Sequence, residues 1–257
     1  MSALADAGLL VRRSVVRTLR QPANLVFSFA FPMLLLAVNA AGLDAATNLP
    51  DFPTNSYLTF ALAVPFVQGA LFAANSAGTN IAQDIETGFL SRLSLTPLTR
   101  PGLLAGQLSG VVALGLMQAA VFLAVGKAAG AGFEAGPLGV PVLLALSMLI
   151  TLGFGTLGAL AALRTGSGEA VQGLFPLLFV ALFLSSNALP RNLIETDWFR
   201  TIATYNPVSY LLEAIRSLLI TGWDGEALAL GFGCAGGIAL AGIFFCSRAL
   251  RSRMVRT

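Results

Sequence analysis

Apolar residues run along this chain in long blocks, without the period-two alternation of a half-buried strand or the narrow stripe of a surface helix. Six blocks reach the roughly 20 residues that a bilayer-spanning helix requires. They are 25–43, 57–81, 103–125, 138–163, 170–189 and 227–246, and none contains Asp, Glu, Lys or Arg. Pro65, Gln68, Gly69 and Asn75 interrupt the second block, which a membrane helix tolerates where neighbours or water satisfy the freed backbone groups. Ahead of the first block, Leu4, Val11, Val15 and Leu19 form one helical stripe with Arg13, Arg17 and Arg20 opposite. That pattern predicts a helix lying in the membrane interface over residues 1–22, with Pro22 at the turn into the first span. The first block exceeds the about 7–15 apolar residues of a cleavable signal peptide.

Composition agrees. Hydrophobic residues make up 56% of the 257 and charged residues 11%, against about 25% charged in an ordinary soluble domain. The position of the charges then sets the topology. With six spans, 11 of the 15 Lys and Arg residues share the side of the termini, and only Lys127, Arg191, Arg200 and Arg216 fall on the other. The positive-inside rule makes the terminal side cytoplasmic. The net charge of +3 therefore reads as a topology anchor, and no nucleic-acid partner is expected. Cys234 and Cys246 lie about 18 Å apart along one helix, too far for a disulfide.

The missing chemistry is informative. There is no histidine, and the single lysine, Lys127, precedes Ala128 and lacks the upstream glycine of a phosphate-binding loop. No catalytic residue and no metal site are expected, and the chain should hydrolyse no ATP itself. The spans hold none of the carboxylates or histidines that proton-coupled carriers place in the membrane. Asn39, Gln68 and Asn75 are the candidate path-lining residues, with interhelical hydrogen bonding as their alternative role.

The most polar stretch between the outer blocks is QDIETGFLSRLSLTPLTRPG, residues 83–102. Ile85, Phe89 and Leu93 recur every four residues, predicting a helix over 84–96 that Pro97 ends, with Glu86 and Arg92 on its shoulders. Such a helix suits a groove on another protein, but on composition alone a solvated loop is an equal reading. A second segment, NPVSYLLEAIRSLLITGWD, starts with an N-cap, Asn206, and a first-turn proline, Pro207. Its helix is too short to span and is expected to dip into the outer leaflet and return. Glu213 and Arg216 are expected to pair across one turn.

Both segments resemble ABC transporter permeases of the ABC type 2 class, in the drug-resistance efflux (daunorubicin-resistance-like) branch. Glu86, Gly88, Leu90, Leu93, Thr96, Pro97 and Arg100 stand where that family has an acidic residue, a glycine, a Leu-rich helix and a Pro-ended basic turn. Asn206, Pro207, Tyr210, Glu213 and Arg216 match its second pattern. The resemblance implies ATPase-coupling residues at Asp84, Glu86, Gly88, Phe89, Arg92, Leu93 and Pro97. It also implies two ATP-binding cassette ATPase subunits that bind ATP and Mg²⁺, and a second permease chain, identical or paralogous.

The expected fold is an all-α polytopic membrane protein. It has six transmembrane helices, an N-terminal interfacial amphipathic helix, a cytoplasmic coupling helix between spans two and three, and short outer-leaflet re-entrant helices within 190–224. The expected function is export of a hydrophobic or amphipathic substrate (drug, lipid or glycolipid) across a bacterial cytoplasmic membrane, in contact with membrane lipid and with both termini cytoplasmic. The rival classes are a stand-alone ion-coupled carrier and a non-transporting membrane scaffold.

Overall fold

A computed structural model describes residues 3–93 and 100–254. The described residues form helices α1 (Ala3–Leu19), α2 (Pro22–Gly42), α3 (Tyr57–Ala61), α4 (Ala63–Glu86), α5 (Phe89–Leu93), α6 (Arg100–Ala128), α7 (Gly136–Thr165), α8 (Gly168–Phe183), α9 (Asp197–Tyr205), α10 (Pro207–Arg216) and α11 (Gly225–Met254). Five candidate membrane spans result: Leu25–Gly42, Tyr57–Glu86, Gly102–Ala128, Gly136–Thr165 and Gly225–Arg253.

The fifth expected span, 170–189, is shorter than its apolar block. α8 stops at Phe183, although the block continues to residue 189. Its 16 residues cover about 24 Å, less than the roughly 30 Å of bilayer hydrocarbon. The cause is local chemistry. Ser185 Oγ and Asn187 Nδ2 both donate to the Leu182 carbonyl, so side chains take an acceptor that the next helical turn would use. Small polar residues at 185–187 vanish in a hydropathy average yet end the helix.

α4 is the axis of the bundle. Its residues are buried almost continuously from Ala63 to Ala82 by α2, α6, α7, α8 and α10. The closest approach is to α7, where a Cβ on Gly158 would lie 1.9 Å from the Ala74 carbonyl oxygen. Only glycine lets the two backbones meet there. α2 and α11, by contrast, leave Phe27, Leu34, Val38, Leu240 and Phe244 exposed, as helices at the rim of a membrane bundle do.

Of three buried apolar clusters among the described residues, the two larger ones occupy opposite ends of the bundle, and a small one joins Ala73 and Ala77 to Val111 and Leu114. Of the larger two, one packs Tyr57, Phe60, Leu62, Phe122 and Leu143 against Leu211, Leu212 and Ile215 of α10. The other, at the end that carries both termini, joins Ile81, Leu90, Leu104, Leu163 and Leu250. Gly110 of α6 seats α1 by close approach to Ser14 and Thr18. Gly233 and Gly237, a similar small-residue pair by sequence, face open space.

Candidate functional site

At the end of the bundle that carries the termini, the helix expected over 84–96 is two helices. α4 continues through Asp84 to Glu86, and the chain then turns at Gly88, whose φ of +68° favours glycine. The Gly88 N–H donates to Ile85 O and the Thr87 N–H to Gln83 O, closing α4 as a left-handed cap. α5 then starts at Phe89. The four-residue recurrence of Ile85, Phe89 and Leu93 therefore spans a break and does not mark one helical face.

Asp84 belongs to the end of α4, where it is buried. Arg13 donates to both of its oxygens, at 3.2 and 3.0 Å. Arg17 adds a bond at 2.8 Å and Gln107 of α6 one at 2.9 Å. Arg17 also reaches Gln83, and the Arg13 guanidinium lies 3.9 Å over the Phe89 ring. One carboxylate thus joins α1, α4 and α6, and through Arg13 the cluster also touches α5. Arg13 and Arg17, which lie opposite the apolar stripe of α1, hold the cluster together, while Val11 and Val16 remain exposed. Arg20 is exposed.

Glu86 and Arg92 are exposed, so a surface patch flanks the Gly88 turn. Asp84 is not part of that patch, because three donors enclose it. The Leu93 side chain and Pro97 lie outside the described residues.

Asn75 lines a cavity of about 210 Å³ together with Thr18, Ser28, Phe72, Ser76 and Leu114. Asn75 Oδ1, Gln68 Oε1 and Gln118 Oε1 are buried without a hydrogen-bond partner. Asn39 is half-buried on α2.

At the opposite end, Asn206 caps α10 by accepting the Val208 N–H at 2.9 Å, with Pro207 at the first position. Glu213 and Arg216 do not pair. Arg191 takes both oxygens of Glu213, with a bond of 2.6 Å to Oε1, and lies 4.8 Å over Tyr210. Arg216 turns inward, donating to Phe60 O, Ser186 O and Asn187 O at 3.1, 2.5 and 2.7 Å, with its guanidinium 3.6 Å over Phe60. Burial pushes its pKa down to about 9, opposed by the charge of Glu213, so it stays a cation at neutral pH. The reason for the re-pairing is reach: the segment left free by the early end of α8 carries Arg191 and two of the three carbonyls that Arg216 uses.

Sequence reasoning missed Gln107 and Arg191. The available signal was a lone acid ending an apolar run, Asp84, and an acid on an apolar helix, Glu213; each demands a partner when buried. Nothing local names that partner.

Long apolar helices around a buried axial helix, with charges confined to the two ends, define a multi-pass helical membrane protein. The chain belongs to the ABC-2 type transporter family, whose model matches residues 6–220. It is 26% identical over 219 residues to the putative transport permease ycf38 of Porphyra purpurea, covering 84% of this chain and 74% of that protein. It is also 26% identical over 225 residues to the probable doxorubicin resistance ABC transporter permease protein DrrC of Mycobacterium tuberculosis, covering 85% and 78%. ATP hydrolysis in ABC transporters lies in a subunit separate from permeases of this family.

Proposed function

We propose that this chain is the membrane subunit of an ATP-driven exporter. Two permease chains work with two ATP-binding cassette subunits, which bind ATP and Mg²⁺. The observation that carries this reading is the Gly88 turn. It presents Glu86 and Arg92 outward while Phe89 leans on Arg13, which is tied through Asp84 to α4 and α6. A push on this turn reaches two spans and the N-terminal helix together. α5 with its flanking turn serves as the coupling element, and α1 lies in the cytoplasmic interface of a bacterial inner membrane with both termini inside. α8 makes the fifth of six crossings together with the turn beyond it, and α9 and α10 sit in the outer leaflet.

The substrate is hydrophobic or amphipathic: among the described residues no ionisable side chain lines the Asn75 cavity, and the mycobacterial relative is named for doxorubicin resistance. Affinity purification from native membranes tests the assignment. An ATP-binding cassette subunit should co-purify with the natural chain and be lost from a Glu86→Lys, Arg92→Glu variant that still inserts. Repeated absence of any nucleotide-binding partner, with flux driven by an ion gradient, would replace this reading with a carrier.

A further inference from the structure

The end of the bundle opposite the termini contains a cavity of about 400 Å³, within the about 300–1,000 Å³ of small-ligand sites. Arg191, Glu213, Arg216 and Asp224 contribute charge to its wall, and Phe60 and Ile220 apolar surface. The charges sort themselves. Arg191 grips both oxygens of Glu213, so that pair is internally neutral. Arg216 is 6% exposed, and among the described residues no carboxylate comes within ion-pair distance of it. Its three carbonyl partners use three of the five guanidinium N–H groups, leaving one donor on each terminal nitrogen. A buried cation without a counter-ion is costly unless something pairs with it. Asp224 is the unmatched acid: its Oδ1 accepts the Glu226 and Ala227 N–H groups that start α11, and the side chain is exposed.

One cation and one anion of unlike partnering line the same cavity. Both tryptophans of the chain, Trp198 and Trp223, are exposed in the same segment together with Tyr205, at 62%, 55% and 79%. Exposed Trp and Tyr gather at headgroup depth in membranes. We infer that this cavity binds a zwitterionic amphiphile, its phosphate-type anion against Arg216 and its ammonium against Asp224. The site is separate from the ATPase-coupling turn and does not depend on that reading.

Binding to the purified full-length protein in mild detergent tests this, with dihexanoyl phosphatidylethanolamine titrated calorimetrically. Dihexanoyl phosphatidylglycerol and free phosphoethanolamine serve as parallel probes. Saturable binding of one phosphatidylethanolamine per chain is expected, with phosphatidylglycerol roughly tenfold weaker. Asp224→Asn keeps the helix cap, since Asn caps as well as Asp, and should erase that preference. Arg216→Lys keeps the charge and loses the fork, and should weaken both lipids. Phosphoethanolamine matching the lipid's affinity assigns the site to a soluble phospho-amine; much weaker binding assigns it to a membrane lipid. Equal affinity for the two lipids, or a preference unchanged in Asp224→Asn, overturns the inference even if Arg216→Lys fails to fold.

Discussion

Arg13 holds both oxygens of Asp84 while its guanidinium lies 3.9 Å over the ring of Phe89. One side chain therefore links the end of α4 to the start of α5 across the Gly88 turn, and anchors α1 to both. Asp84→Asn leaves Arg13 and Arg17 facing a neutral amide. Arg13 is 39% and Arg17 19% exposed in its side chain, so water recovers part of the loss. The expected destabilisation is about 1–3 kcal/mol, below the 3–5 of a fully buried broken pair. Thermal unfolding in detergent measures it, and a cysteine placed at Ser14 should become faster to label as α1 lifts from α6. Unchanged labelling would show that the Gly110 contact alone seats α1.

The outer end contains a different pairing logic. Exchanging Arg191 and Glu213 should restore stability lost in either single reversal, because the pair is bidentate and 25% and 28% exposed; the recovered coupling is about 1 kcal/mol. Exchanging Glu213 and Arg216 should rescue nothing. Arg216→Met removes the donor from two buried carbonyls and a part-buried one, at a cost of about 3 kcal/mol. Double-mutant cycles on thermal midpoints separate the two cases, and rescue by the second exchange would contradict the geometry.

Much of this architecture is local and was legible. Blocks of apolar residues predict α2, α4, α6, α7 and α11, because spanning helices satisfy their own backbone and advertise themselves by composition. The cap at Asn206 and the first-turn Pro207 were legible for the same reason. What escaped is long-range or single-residue. Arg13 and Asp84 are 71 positions apart, and Arg191 and Glu213 are 22 apart; no periodicity links them. The i,i+3 rule favoured Glu213 with Arg216, but tertiary carbonyls outbid it. One left-handed glycine divided a predicted helix in two.

Glycine packing gives a sharp contrast. Gly158→Ala puts a methyl against the Ala74 backbone carbonyl, which no side-chain rotation relieves. Overpacking of this kind costs about 1–3 kcal/mol, and α4 and α7 must separate. Gly237→Ala meets nothing within 4 Å and should stay within about 0.5 kcal/mol of the natural chain. Melting curves of the two variants in one detergent decide it, and equal stability would show that α4 and α7 sit further apart.

Gly88 tests the coupling turn without touching a charge. Its φ of +68° costs a β-branched residue more than it costs Asn, which visits the left-handed region. Among the described residues a Cβ there meets nothing within 4 Å, so the penalty expected is one of backbone conformation. Gly88→Asn should keep the turn, and Gly88→Val should straighten it, moving Phe89 off Arg13 while Asp84 keeps its partners. ATPase co-purification should persist with Asn and fall several-fold with Val, at matched membrane insertion. Loss with both variants would point to the glycine's missing side chain, as a flat contact for the partner. Retention with both would mean that Glu86 and Arg92 act without the turn that displays them.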